Sequence, residues 1–373
     1  MAGIYIHIPF CRSRCIYCGF YSTTSLELRQ RYVEAVCREM EIRGSAPVST
    51  IYLGGGTPSQ LTIPQLKQIF EPLYIYNKVE NDAEVTIEVN PDDVTDEFAA
   101  MISQLPINRI SMGIQTFDDQ RLRFLHRRHT ASQAIEAVSR LRKAGITNLS
   151  IDLMYGFPGE TLANWEADIN AALALNVEHL SAYCLTVEDG TPLRQWIIDN
   201  GQWGMDEELE RTMYEMLIDK LTAAGYEHYE ISNFAKKGFR SRHNSSYWTG
   251  TPYVGLGAAA HSFDGKSRSW NVADINDYIK GIEQGKRIFE EEVLDDDTRY
   301  NDTITVALRT KEGIDLSLLT KKYRDYCMKN ARRYLNDGLL ELSVVGDSDF
   351  PTLHLTRRGL FVSDMVMSDL MMV

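Results

Sequence analysis

The sequence predicts an α/β fold: a partial (β/α) TIM-like barrel followed by a small C-terminal α+β module of winged-helix-like outline. Three observations carry this expectation. Short β-rich segments alternate with helical patterns six times in the first half, which implies a parallel sheet with right-handed crossovers. Polar residues recur at the ends of those strands, the rim on which barrels assemble their sites. Beyond Glu292 the alternation gives way to helices and a hairpin.

Gly3–Ile8 reads as the first strand, followed by a cysteine loop and the amphipathic helix Leu26–Arg43. Ser49–Leu53 is the second strand. It runs into Gly54-Gly55-Gly56-Thr57-Pro58, and a helix follows around Pro64–Tyr74. Glu84–Val89 is the third strand, closed by Asn90-Pro91, and Arg109–Ile114 the fourth, leading to Gln115. In the helix Ser132–Ala144, Ile135, Val138 and Leu141 are expected on one face, with Gly145 as the stop. Asn148–Leu153 and His179–Leu185 are strands five and six, separated by the helix Leu162–Leu175. The expected units are a barrel over 1–235, a connecting region over 236–292 and a C-terminal module over 293–373.

Lys and Arg number 39 against 52 Asp and Glu, a net charge of −13. That argues against a phosphate backbone as partner, because such binding is driven by Lys/Arg neutralisation. The N-terminal stretch lacks the basic region and apolar core of a signal peptide. A long run free of formal charge, Asn244 to Phe263, is rich in Gly, Ser, Thr and Pro and does not span a membrane. A cytoplasmic protein with reduced cysteines is expected.

Six cysteines are present, and Cys11, Cys15 and Cys18 lie within eight residues. A tight thiol cluster in a reducing compartment points to a metal or redox site. Structural zinc wants four closed ligands, and no Cys-x2-Cys or His-x3-His partner follows. Thiolates also select iron–sulfur clusters, and three of them would leave one iron of a four-iron cluster open to an outside ligand. Cys37 falls on the apolar face of its helix beside Val33, Val36 and Met40, where a small core residue is expected; Cys184 and Cys327 read the same way. The triple glycine allows close backbone approach to a ligand. It matches neither the dinucleotide fingerprint nor a P-loop, and a plain tight turn is the alternative. With Glu88, Gln115 and Asp152, loop and glycines give five features on one rim.

These residues carry a resemblance. Cys11-x3-Cys15-x2-Cys18 after strand one, with the glycine run after strand two, resembles the radical S-adenosylmethionine superfamily. Tyr5-Ile6-His7-Ile8-Pro9-Phe10-Cys11, Gly54 to Pro58, Ile151-Asp152-Leu153-Met154-Tyr155-Gly156 and Gly255-Leu256-Gly257 to His261 narrow it. Over nearly its whole length the chain is similar to the oxygen-independent coproporphyrinogen oxidase-like proteins. The resemblance implies a [4Fe-4S] cluster on Cys11, Cys15 and Cys18, its fourth iron chelated by S-adenosylmethionine. It places Tyr5, Gly56 and Glu88 around a first S-adenosylmethionine. Thr57, Pro58, Gln115, Arg127 and Asp152 match residues lining a second nucleotide-sized pocket, and Tyr17, Gly19 and Gly55 complete the cofactor-binding set.

Within this family the decarboxylating oxidases carry a further cysteine two positions beyond the third ligand and an N-terminal extension. Here that position is Phe20, and ten residues precede Cys11. His243-Asn244-Ser245-Ser246-Tyr247-Trp248 resembles the His-Asn-x-x-Tyr-Trp motif of the heme chaperone branch. The resemblance therefore implies a heme-binding chaperone that delivers heme to acceptor proteins, without coproporphyrinogen oxidase activity. His243 with Tyr247 and Trp248 is the expected heme site, His261 the second candidate ligand, and a loop packed under the barrel mouth the structural alternative. The competing readings are a radical enzyme, whether oxidase or methyltransferase, and a zinc-stabilised regulatory protein.

In the C-terminal third, Thr303–Thr310, Leu316–Tyr323 and Tyr326–Asp337 are expected helices. Leu339–Val344 and Leu353–Thr356 form the expected hairpin, and a last helix starts at Gly359. Asp295–Asp297 is a solvated linker or a helix start. Residues 291–373 hold 11 basic and 15 acidic residues, so Lys321 to Arg333 reads as a solvated helix face rather than a nucleic-acid surface. Met365–Val373 is expected to dock on the barrel, a peripheral membrane contact being the alternative.

Overall fold

The computed structural model describes residues 2–43, 47–201, 206–344 and 350–372. Strands β1 (Ala2–Ile8), β2 (Pro47–Gly55), β3 (Lys78–Val89), β4 (Arg109–Gln115), β5 (Leu149–Tyr155) and β6 (His179–Cys184) lie side by side, all parallel. β7 (Glu227–Glu230) and β8 (Asn233–Ala235) continue the sheet antiparallel beyond β6. On the other side β9 (Tyr253–Leu256) pairs parallel with β1, and β10 (His261–Phe263), β11 (Ser267–Asn271) and β12 (Phe289–Val293) follow antiparallel. Among the described residues these twelve form one sheet, in the order β12-β11-β10-β9-β1-β2-β3-β4-β5-β6-β8-β7, whose ends do not meet. The barrel is partial, as expected.

Local signals place the crossover helices. Thr62, Thr130 and Thr161 each cap a helix, reciprocated by Gln65, Gln133 and Asn164 in a capping box. The helix Ala131–Lys143 buries Ala134, Ala137, Val138 and Leu141. Ile135 is 48% exposed, contrary to expectation. At about 100° per residue, the stripe through 134, 137, 138 and 141 leaves position 135 outside it.

The strands alternate. Ile110, Met112 and Ile114 of β4 are fully buried towards the helices, whereas Arg109, Ser111 and Gln115 line an interior cavity. Glu88 of β3, Asp152 of β5 and Ser181 and Tyr183 of β6 line the same cavity.

At the N-terminal ends of the strands a short helix, Arg242–Trp248, closes the interior. Glu84 of β3 accepts hydrogen bonds from the backbone N–H groups of Arg242 at 3.0 Å and His243 at 2.9 Å. The His243 ring lies against Tyr52, with centroids 5.0 Å apart. The segment expected to be a connecting region, 236–292, thus supplies this plug and four strands of the main sheet. Its Leu256, Ala258 and Ile279 share the main core.

The C-terminal module has its own core around Tyr300, Ile304, Cys327, Tyr334 and Leu353. Its helices are Asp296–Ala307 and Lys321–Asn336, and β13 (Ile314–Asp315), β14 (Leu340–Ser343) and β15 (Thr352–Leu355) make a small antiparallel sheet. Asp295 caps the first helix, which resolves the acidic run as a helix start. The expected helix Leu316–Tyr323 does not form. Leu316 N–H bonds instead to Pro351 O, Asp315 accepts from Ser317 N–H, and the helix begins only at Lys321. Three of the six basic residues in that stretch are ion-paired: Lys321 with Asp325, Lys322 with Asp297 and Arg333 with Asp369. The terminal helix Ser363–Leu370 docks within this module rather than on the barrel. Val366 and Leu370 join its core, and Tyr300 donates to Leu370 O at 2.8 Å. Among the described residues no helix is long and apolar enough to cross a membrane.

Glu84 is buried, and each charge-assisted hydrogen bond of this kind contributes about 1.5–3 kcal/mol. Glu84→Gln should therefore lower unfolding stability by at least that amount while leaving the secondary structure intact. Denaturant unfolding followed by circular dichroism checks this; an unchanged midpoint would contradict the plug's dependence on Glu84.

Candidate functional site

The cysteine loop leaves β1 and is tied at its base. Phe10 bridges to Thr23, Cys11 N–H bonds to Thr23 O at 2.9 Å, and Thr23 N–H bonds to Pro9 O at 2.7 Å. A tight turn brings Cys18 N–H to Cys15 O at 3.3 Å. All three cysteines are free and partly exposed. Cys11 Sγ lies 3.5 Å from Thr57 Oγ1, and Arg127 Nη1 points at Cys15 Sγ at 3.6 Å. The Thr57 hydroxyl favours the Cys11 thiolate, but burial outweighs it and pushes the Cys11 thiol up. Among the described residues no three metal-binding side chains converge on one ion. Three thiols spread over one loop fit three corners of a cubane better than one tetrahedral zinc. Of the other cysteines, Cys37 donates to Gln68 O at 3.2 Å against the core and Cys327 is buried. Cys184 lines the cavity, which the core reading did not foresee.

The glycine run is demanded by the chain itself. A Cβ at Gly55, whose φ is +109°, would stand 2.5 Å from the His7 ring. One at Gly56 would meet the backbone of Pro9 at 2.7 Å. The end of β2 thereby packs directly under the start of the cysteine loop, and Gly55 N–H donates to Glu88 at 3.1 Å. Tyr52 donates to the other Glu88 oxygen at 2.7 Å. Burial raises Glu88 to about 7 and Asp152 to about 6, so Glu88 is partly protonated at neutral pH while Asp152 stays mostly ionised.

Below the loop lies a cavity of about 920 Å³, large enough for a cofactor-sized ligand. Tyr17, Cys18, Gly19, Glu88, Gln115 and Asp152 line it. Tyr5, Gly55, Gly56, Thr57, Pro58 and Arg127 are not among its lining residues. Arg127 bonds Asn90 Oδ1 at 2.8 Å and Gly113 O at 2.5 Å, and Tyr5 donates to or accepts from His7 Nδ1 at 2.9 Å. Gln115 holds a φ of +72°, rare for a residue with a side chain, at a break in the β4–β5 register.

The two histidines fare differently. His243 has no exposed surface; its Nδ1 meets Thr50 Oγ1 at 2.9 Å and its Nε2 meets Tyr247 Oη at 2.8 Å. With both nitrogens engaged, the ring is not open to an axial ligand role in this arrangement, contrary to expectation. The segment is a helix, not a loop, and it sits at the opposite end of the strands from the cysteines. Tyr247 also packs on Tyr253, and Trp248 on Tyr229. His261 is exposed on β10, its ring stacked on Trp270 at 5.6 Å.

Residues 5–172 match the Radical SAM superfamily model. That superfamily implies a [4Fe-4S] cluster and S-adenosylmethionine. The heme chaperone HemW of Lactococcus lactis subsp. lactis (strain IL1403) is 33% identical over 362 residues, covering 95% of this chain and 93% of that protein. The chain belongs to the HemW family. HemW of Bacillus subtilis (strain 168) is 36% identical over 332 residues, 87% of each chain. Among solved structures, coproporphyrinogen III oxidase (HemN) from Escherichia coli superposes with a TM-score of 0.83 at 22% identity. It covers 99% of this chain and 89% of that one, a likeness of fold.

Sequence reasoning missed several residues that this HemW-family chamber uses: Tyr52, Arg109, Ser181 and Tyr183 all line it. A signal was present. In Arg109-Ile110-Ser111-Met112-Gly113-Ile114-Gln115 polar and small residues alternate strictly with apolar ones, which puts Arg109 on the face of Gln115.

The interior also sets a pH dependence. Burial lowers His7 to about 4, His129 and His243 to about 3, and His179 as well. The unfolded chain binds those protons below about pH 6.5 while the native state does not, so these groups destabilise on acidification. Glu88 and Asp152 act oppositely, taking up protons in the native state first. His228 and His261 are lowered too, while Asp92, Glu160 and Asp168 are raised, so six histidines oppose five carboxylates. The histidines dominate, and the melting temperature should fall between about pH 6.5 and about pH 4.5. Calorimetry over that range checks it, and a rise on acidification would contradict the buried neutral histidines.

Proposed function

We propose that the protein is a cytoplasmic heme chaperone that binds heme and passes it to acceptor proteins, without turning over coproporphyrinogen. Membership of a family whose relatives are named heme chaperones supports this. The observation that carries it is Phe20: 71% exposed, it lines the chamber beside Cys18. An apolar ring there can neither ligate metal nor exchange a proton, whereas the resembling oxidases carry a thiol at that position. It offers a flat macrocycle an apolar contact instead.

Cys11, Cys15 and Cys18 are the residues to hold the cluster, and bound cluster with S-adenosylmethionine supplies one-electron chemistry. The chain's part is positioning. Glu88, poised near neutrality, can accept or donate a hydrogen bond at a ligand's ammonium or hydroxyl group, and Gln115 and Asp152 offer further polar atoms on the same wall. Tyr17 presents an aromatic face beside Cys18 suited to a sulfonium.

For heme iron, His261 is accessible as the protein stands, with Trp270 beside it. His243 becomes accessible only if the helix Arg242–Trp248 leaves its place. Heme titration in the Soret region tests the reading, with anaerobically reconstituted protein assayed separately for coproporphyrinogen decarboxylation. Heme should bind and no divinyl product should form. His261→Ala should weaken binding about ten-fold or more, and His354→Ala, in the C-terminal hairpin, should not. A Soret change lost only in a folded His243→Ala variant would assign the ligand to the displaced helix. Turnover of coproporphyrinogen would overturn the chaperone reading.

A further inference from the structure

The chamber floor holds a charge that nothing yet described uses. Arg109 opens β4, pairs in register with Thr86, and is 1% exposed. Its Nε and Nη1 are buried without a hydrogen-bond partner among the described residues, and so is the Thr86 hydroxyl. A guanidinium has five donors and cannot shed its proton. Leaving such donors unmatched away from water is costly, and interiors normally avoid it. Its side chain lines the cavity that reaches up to Cys18. The wall carboxylates Glu88 and Asp152 feel its charge, but neither hydrogen-bonds it: Glu88 is bonded to Tyr52 and Gly55. Arg109 thus borders ligand space while no group among the described residues accepts a hydrogen bond from its Nε or Nη1.

We infer that Arg109 is an anion receptor on the floor of the chamber, taking the carboxylate of a ligand that enters from the cysteine-loop end. A planar guanidinium matches a carboxylate in a two-bond fork, which adds orientation to affinity. Two sources of that carboxylate fit the chamber: the amino-acid end of a second S-adenosylmethionine, other than the one chelating the cluster iron, and a propionate of a tetrapyrrole. This assignment rests on the chamber being a ligand site, as proposed above.

The test compares wild type, Arg109→Gln and Arg109→Lys, with circular dichroism to establish folding. S-adenosylmethionine and its decarboxylated analogue are titrated into the reconstituted protein, and protoporphyrin IX and its dimethyl ester into the protein without cluster. Loss of one charge-assisted fork should weaken the carboxylate-bearing ligand about ten-fold or more in Arg109→Gln. Arg109→Lys, which keeps the charge but not the fork, should retain part of the affinity. The ligand lacking the carboxylate should bind wild type and variants alike. A loss confined to the S-adenosylmethionine pair identifies the amino-acid carboxylate, and one confined to the porphyrin pair identifies a propionate. Wild-type binding that survives both substitutions overturns the Arg109 assignment alone. A wild-type protein that takes up neither ligand overturns the chamber reading and this assignment together.

Discussion

Everything in this molecule follows from an interior that is polar. Parallel strands covered by helices are ordinarily apolar on both faces. Here Glu88 of β3, Arg109, Ser111 and Gln115 of β4, Asp152 of β5 and Ser181 and Tyr183 of β6 face inward, while most of the intervening residues form the core against the helices. A barrel lined in this way cannot collapse on itself as an apolar one does, because its groups need water, partners or ligand. The chain meets that constraint by leaving a large cavity, by holding Glu88 and Asp152 towards neutrality, and by sealing one end with hydrogen bonds.

The seal explains the division of labour along the axis. At the C-terminal ends of the strands the cysteine loop stands open, braced by Thr57, Arg127 and the glycine turn. At the N-terminal ends Glu84 and Thr50 hold the His-Asn-Ser-Ser-Tyr-Trp helix in place. The motif most suggestive of heme and the motif for the cluster are thus separated by the whole chamber. Heme capture through His243 would open the floor of that chamber, whereas capture through His261 would leave it closed.

Much of this was legible in the residues. The six βα units, the cysteine spacing and the rim of Glu88, Gln115 and Asp152 are local or periodic signals, and each lands where its pattern puts it. Arg109 was legible in principle, through the alternation of β4. The plug was not: Thr50 and His243 lie 193 residues apart, and no local pattern pairs them. The same holds for β9, whose parallel pairing with β1 turns an apparent connecting region into part of the sheet. The lost helix at Leu316 failed for the opposite reason. Its apolar spacing is helical, but Asp315 captures the next turn and Pro351 offers a competing backbone partner.

The central claim is that ligand enters at the cysteine-loop end while the far end stays shut. Hydrogen–deuterium exchange by mass spectrometry, on anaerobically reconstituted protein with and without S-adenosylmethionine, tests it most directly. The account predicts slowed exchange over the loop 11–23 and around Gly113–Gln115, with the amides of 241–248 unchanged. Protection confined to 241–248, with none in the cysteine loop, would contradict it.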